Sequence, residues 1–370
     1  MSIRILIVDD SVVVRRILSD VLTSDPDIEL AGIAANGRIG LQKIPQVQPD
    51  IVTLDLEMPE MDGIATLREI RRLYPDLPVL LFSTLTERGA AATLDGLAAG
   101  ASDYVTKPAN VGSVQAAMQR IREEMIPKVK SLCAHKLGGG SAAPARPKPA
   151  AKAAPSRPVV PATPAPVSLR RTNPDLRPEI LAIGSSTGGP NALAALLPSL
   201  PADFPVPIVI VQHMPALFTR LLAERLKDKG PLDVREAQEG EFLEAGKAWI
   251  APGDFHLELR RRPDGRVVTH LQQGPPENSC RPAVDVLFRS VAAAYGRNVL
   301  AVVLTGMGQD GLLGGEAIRD AGGEIWAQDE ESCVVWGMPG AVARGGVASR
   351  VLPLDQLAPE IARHMQKAAA

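Results

Sequence analysis

Short, uninterrupted apolar runs alternate along the chain with stretches in which apolar residues recur every three or four positions. In the first third the runs are Ile3–Val8, Ile28–Ala34, Ile51–Asp55, Val79–Ser83 and Asp103–Val105. Helical patterns lie between them, among them Val12–Thr23 and Ile64–Leu73, and another runs from Val111 toward Met125. Pro45 is expected to shorten the helix that starts near Gly37, because proline has no amide to donate and its ring crowds the preceding turn. Runs without polar alternation suit strands buried on both faces, and strands that alternate with helices predict a parallel sheet between helical layers. Beyond Pro178 the same logic returns at Ile180–Ile183, Ile208–Gln212, Ala248–Ile250 and Val299–Leu304. The pattern predicts two α/β domains. The first is a doubly wound five-stranded parallel sheet, and the second a doubly wound, mostly parallel sheet.

Composition separates the two. Ser141–Pro178 holds ten of the 33 prolines, nine alanines and seven Lys/Arg, with Asp175 its one acid. So few large apolar residues cannot offset the entropy of ordering, and a semi-extended spacer is expected. The predicted boundaries are 1–125, a linker at 126–177, and 178–366. With 40 basic and 42 acidic residues the net charge is −2, which argues against a nucleic-acid or membrane-surface binder. No apolar run reaches the roughly 18–20 residues that cross a bilayer, so no membrane insertion is expected. Cys133, Cys280 and Cys333 are odd in number and far apart, which fits neither a disulfide framework nor a zinc site. The expected setting is a reducing cytoplasm.

In an open parallel sheet, ligands collect where loops leave the carboxyl ends of the strands. Asp9-Asp10, Asp55, Ser83 and Lys107-Pro108 all fall at such ends. Several carboxylates in one crevice repel each other, and a hard cation such as Mg²⁺ relieves this. With Asp62-Gly63 and Tyr104, this set resembles a response-regulator receiver domain over roughly residues 1–125. The resemblance implies a flavodoxin-like fold in which Asp55 takes a phosphoryl group from a histidine kinase. It implies Mg²⁺ held by Asp10, Asp55 and the Glu57 backbone carbonyl, with Asp9 supporting through water. Lys107 would meet phosphoryl oxygens, Ser83 would bond the phosphorylated state, and Tyr104 would swing inward.

The second half opens with a strand, the turn Gly184-Ser185-Ser186-Thr187-Gly188-Gly189-Pro190, and an apolar helical stretch at Ala192–Leu200. Such a loop cradles phosphate, or it exposes a hydroxyl beside backbone N–H donors. Two later strand ends favour the hydroxyl, since Gln212 is followed by His213, and Thr305 by Gly306-Met307-Gly308-Gln309-Asp310. A serine hydroxyl becomes a nucleophile when an imidazole takes its proton and a carboxylate orients that imidazole. Spacing alone leaves Ser185 and Ser186 equally eligible. His256 is a rival base or a structural turn residue, Asp285 reads as a packing or capping residue, and Arg260-Arg261-Arg262 as a hairpin edge.

Together with Ala251-Pro252-Gly253-Asp254, Arg281-Pro282-Ala283-Val284-Asp285 and Gly337-Met338-Pro339, these motifs resemble the catalytic domain of the chemotaxis-type protein-glutamate methylesterases over roughly residues 178–366. The resemblance implies Ser186 as nucleophile, His213 as general base, Asp310 as orienting acid, and Thr187 and Met307 in support of the oxyanion, with no cofactor in this domain. It implies demethylation of glutamate γ-methyl esters, and deamidation of glutamines, on methylated chemoreceptor-type proteins, under control of Asp55 phosphorylation. The rival readings are a receiver-controlled nucleotide-binding output and a non-catalytic receptor-binding scaffold.

Overall fold

The computed structural model describes residues 2–108, 113–137, 169–172 and 176–369. Most of the expected linker lies outside these. The N-terminal unit runs β1 (Ile3–Val8), α1 (Val12–Leu22), β2 (Ile28–Ala34), α2 (Gly37–Val47), β3 (Ile51–Asp55), α3 (Gly63–Leu73), β4 (Val79–Ser83), α4 (Glu87–Ala98), β5 (Asp103–Thr106) and α5 (Val114–Leu132). Its five strands pair in parallel in the order β2-β1-β3-β4-β5. Ile3, Ile5 and Ile7 face the α1/α5 side while Leu6 and Val8 face the other, so β1 is buried on both faces.

The second unit runs β6 (Ile180–Ser185), α6 (Gly189–Leu196), β7 (Ile208–Gln212), α7 (Ala216–Lys229), β8 (Asp233–Glu236), β9 (Lys247–Ile250), β10 (His256–Arg261), β11 (Val267–Gln272), α8 (Val284–Tyr295), β12 (Val299–Val303), α9 (Leu312–Asp320), β13 (Glu324–Gln328), α10 (Met338–Arg344), β14 (Arg350–Leu352) and α11 (Leu354–Ala369). Seven strands form a parallel sheet in the order β14-β13-β12-β6-β7-β9-β8, and β10 and β11 form a separate antiparallel hairpin. Arg260 and Arg261 lie exposed on that hairpin, as the charge run suggested. In both sheets the strand order reverses beside the first strand of the unit, which opens a crevice at the carboxyl ends.

Two expectations need correction. Pro45 lies inside α2 rather than at its end: the helix runs two residues further, to Val47, and the Gln48 amide still reaches the Ile44 carbonyl at 2.8 Å. In a last turn the missing amide removes one bond and the ring crowds one carbonyl, so the penalty is confined. Nor does α5 end near residue 125. It runs to Leu132, with Val129, Leu132 and Cys133 buried and Lys130 paired to Asp25 and Asp27, each at 2.8 Å. The first folded unit therefore extends past the predicted boundary at residue 125.

The two units share a core. Leu94, Leu97 and Tyr104 of the first pack in one apolar cluster with Met214, Phe218 and Leu222 of the second. Tyr104 and Phe218 stack with ring centroids 4.7 Å apart and an interplanar angle of 14°, a geometry that contributes about 0.5–1.5 kcal/mol beyond area burial. Arg220–Glu87 and Arg225–Asp95 pair across the rim at 2.8 Å each, and Asn191 Nδ2 donates to the Leu97 carbonyl at 2.8 Å.

Candidate functional sites

At the first crevice β1 delivers Asp9 and Asp10, and β3 delivers Asp55. Donor atoms of all three lie within 4.8 Å of one another, with Asp9 and Asp55 buried and Asp10 exposed. Lys107, after β5, places its ammonium 2.8 Å from Asp55 Oδ2 and 3.3 Å from Asp9 Oδ2. Burial pushes the Asp55 carboxyl up from its ordinary value despite the Lys107 charge. Burial works against the Lys107 cation as well, but Asp55 and Asp9 outweigh it and raise its pKa. One cation therefore faces a cluster of carboxylates, and an oxygen-rich donor set with one open side suits a hard divalent ion. Glu57 is exposed, and its amide reaches Asp55 Oδ1 at 3.4 Å. Ser83 closes β4, where its Oγ accepts from Thr93 Oγ1 at 2.6 Å and donates to the Gly89 carbonyl at 3.2 Å. Tyr104 is buried against Phe218.

At the second crevice three adjacent strands meet. After β6, Ser185 and Ser186 have different fates. Ser185 is fully buried and donates to Gln212 Oε1 at 2.7 Å, so its hydroxyl belongs to the core. Ser186 is half-buried, and among the described residues its hydroxyl makes no hydrogen bond. Gln212 Nε2 also donates to the Ser186 carbonyl at 3.0 Å, which fixes the turn. Gly188 has φ +77°, and a Cβ on Gly189 would lie 1.9 Å from Gln212 Oε1. Only glycines fit there. The amides of Thr187 and Met307 donate no hydrogen bond among the described residues, so both remain available to an oxyanion.

His213, after β7, donates from Nε2 to Asp310 Oδ2 at 2.8 Å. Asp310 follows β12 and sits at the N-terminus of α8, where Oδ2 accepts from Val284 N at 2.6 Å and Oδ1 from Asp285 N at 2.9 Å. Ala283 provides no side-chain cap, so Asp310 serves those first amides and gains the positive end of the helix dipole. Burial alone would raise the Asp310 carboxyl, but His213 and the two amides more than reverse this and hold it below the usual carboxylate range. With Nε2 committed, the lone pair of His213 is on Nδ1, and Cys280 Sγ lies 3.5 Å from it. Burial disfavours the imidazolium, yet Cys280 and Asp310 outweigh burial and raise the His213 pKa.

The structure thus brings His213 and Asp310 into contact and sets Ser186 on the same rim without a hydrogen bond to the imidazole. Cys280 was not singled out in the sequence, because its turn has no strand or helix period. His256 is no base. Its buried ring bridges the Pro275 carbonyl at 3.0 Å and the Ala283 amide at 3.2 Å, leaving no nitrogen for chemistry. The neighbouring unit also reaches the rim, because Thr187 Oγ1 donates to Asp103 Oδ2 at 2.7 Å while Lys128 holds the same oxygen at 3.0 Å.

A family model described as CheB methylesterase matches residues 181–361, and one described as response regulator receiver domain matches residues 5–119. The chain is 54% identical over 369 residues to the protein-glutamate methylesterase/protein-glutamine glutaminase of a Nocardioides species, covering 99% of this chain and 96% of the relative. The protein of the same name from Trichodesmium erythraeum is 51% identical over 367 residues, with 98% and 99% covered. Among solved structures, the Thermotoga maritima CheB methylesterase catalytic domain is 45% identical and covers 50% of this chain and 98% of its own, with a TM-score of 0.49. On nearly full-length identity above one half, the chain belongs to the CheB methylesterase family, with a response-regulator receiver joined to the methylesterase domain.

Proposed function

We propose that this chain hydrolyses glutamate γ-methyl esters, and the side-chain amide of glutamine, on methylated chemoreceptor-type proteins, with the receiver controlling access. The single observation that carries the chemistry is the His213–Asp310 pair at 2.8 Å on the rim that bears Ser186. Ser186 Oγ attacks the ester carbonyl carbon and passes its proton to His213 Nδ1. Asp310 steadies the imidazolium through Nε2, and the Thr187 and Met307 amides receive the negative oxygen. The tetrahedral adduct collapses as His213 returns the proton to the leaving methoxy group, which departs as methanol. Water then attacks the acyl-serine and gives its proton to His213, and the glutamate carboxylate and the Ser186 hydroxyl are restored. With glutamine the leaving group is ammonia. General acid–base help of about 10²–10⁴-fold and roughly 10²–10³ per oxyanion donor are the magnitudes such parts supply. The paired imidazole and carboxylate favour this reading over a nucleotide-binding output or a scaffold.

Control rests on contact. Asp103 grips Thr187, next to Ser186, and Tyr104 stacks on Phe218, so a bulky protein substrate meets the receiver first. Asp55 is the phosphoryl acceptor and a histidine kinase the donor. Asp10, Asp55 and the Glu57 carbonyl would hold Mg²⁺, with Asp9 in support. The ion neutralises charge on the transferring phosphoryl group when bound. Lys107 pairs with phosphoryl oxygens, and Ser83 leaves Thr93 to bond the phosphorylated site. That rearrangement loosens the Tyr104 surface. Methanol release from methylated receptor is the assay. Ser186→Ala is expected to abolish it with the fold intact, and activity at wild-type rate in that variant would overturn the assignment.

A further inference from the structure

Behind Asp310 lies a second buried carboxylate that the reaction above does not use. Asp285 and Asp310 are each 1% exposed, and burying two like charges together is costly unless donors satisfy both. The donors are present. Asp285 Oδ1 accepts from Gly314 N at 2.6 Å and Gly311 N at 2.9 Å, and Gly311 N also reaches Asp310 Oδ1 at 3.0 Å. Asn278 Nδ2 bridges the two acids, 2.9 Å from Asp285 Oδ2 and 3.0 Å from Asp310 Oδ1. Asn278 itself is exposed, at the crest of a turn closed by reciprocal Glu277 and Cys280 backbone bonds of 3.0 and 2.9 Å. Its φ of +51° is a conformation that asparagine tolerates. The buried His256 ring anchors both ends of this segment through Pro275 and Ala283.

Asp285 caps the start of α9, where it serves the N-cap Gly311 and the first-turn Gly314, but that duty needs an acceptor rather than a charge. Asp310 already serves the first amides of α8, and an uncharged acceptor would satisfy the two glycine amides. We propose that Asp285, acting through Asn278 and the Gly311 amide, is a positioning residue for the hydrolysis: it fixes the Asp310 carboxylate so that Oδ2 stays on His213 Nε2, and its charge keeps the imidazole basic. This rests on the assignment of Asp310 as the orienting acid. The charged groups around Asp285 are Asp310 at the end of β12, His213 beyond it, Glu277 on the turn, and Arg289 on α8, which pairs with Glu277 at 2.6 Å. Burial, and then the charge of Asp310, raise the Asp285 carboxyl to about 6.

The test uses the full chain with a methylated receptor, reading kcat, KM and the acid limb of kcat/KM, with circular dichroism for the fold. Asp285→Asn is expected to lower kcat on the order of 10²-fold with KM within about twofold, since misaligned catalytic groups lose that much. Loss of the negative charge lowers the His213 pKa, so the acid limb moves down by about one unit. Asn278→Ala opens no core and is expected to lower kcat about tenfold, the effect of one hydrogen bond to a charged group. A folded Asp285→Asn enzyme with a wild-type acid limb overturns the proposal, whatever its kcat. If that variant does not fold, a wild-type kcat in Asn278→Ala overturns it. Neither result touches the catalytic assignment, which falls only if Ser186→Ala stays active.

Discussion

Asp55 and Asp310 both leave the carboxyl end of a central parallel strand, and both are buried, at 3% and 1% exposure. Their surroundings differ. Around Asp55, three carboxylates face one ammonium, that of Lys107, and Asp10 stays open to solvent. Around Asp310, backbone amides, an asparagine and an imidazole satisfy both oxygens. The first site carries uncompensated negative charge, so a divalent ion or a new bond at Asp55 changes its balance greatly. That is the property of a switch. The second is satisfied in place, so little needs to move for chemistry, and control falls to what covers it. The Asp103–Thr187 bond joins the two, because it runs from β5 of the first unit to the loop that carries Ser186.

Asp310→Asn keeps the shape but presents a donor where Nε2–H needs an acceptor, so His213 loses its tautomer. Methanol release is expected to fall by about 10⁴-fold, and retention of a tenth of the wild-type rate would show that the amide-rich site does not orient the base. Next comes the bridge between the sites. Asp103→Ala removes the acceptor of Thr187 and the carboxylate paired with Lys128, which keeps its bond to the Tyr104 carbonyl. The resting rate, without phosphodonor, should rise about tenfold, the change that about 1.4 kcal/mol of differential stability gives. An unchanged resting rate, alongside normal stimulation by a phosphodonor with Mg²⁺, would remove Asp103 from the control of access.

The smallest effect concerns Cys280. Its sulfur faces Nδ1 and is the leading contribution that raises the His213 pKa against burial. Cys280→Ala removes that contribution, so the base stays neutral to lower pH and the acid limb of kcat/KM shifts downward. The direction follows because a raised pKa costs activity as pH falls through it, and lowering the pKa returns that range. A limb that stays fixed would mean that the thiol does not influence the imidazole.

Much of this was legible along the chain. Ile3–Val8, Ile51–Asp55, Val79–Ser83 and Ile208–Gln212 are apolar runs with sharp polar ends, and the structure places strands over the same residues. The parallel order follows from the helices between them. The strands β13 and β14 escaped because Glu324, Gln328 and Arg350 stand at their ends and leave apolar runs of only three and two residues. Glu324 is buried and accepts from Trp326 Nε1 at 3.0 Å, a compensation made by folding and invisible in a hydropathy pattern. The continuation of α5 past residue 125 escaped because nothing local marks Val129 and Cys133 as core residues; they are buried only in the folded unit.

Sequence by itself determined the two α/β units and which residues stand at strand ends, because burial periodicity and turn chemistry are local properties. Tertiary structure decided the rest. It turned Ser185 into the core and left Ser186 on the rim, spent both nitrogens of His256 on backbone, and seated Asp310 on the amides of a helix about 25 residues earlier in the chain. It also laid Tyr104 on Phe218. Each of these depends on groups distant in sequence competing for the same donors and the same buried space, and only the packed chain resolves that competition.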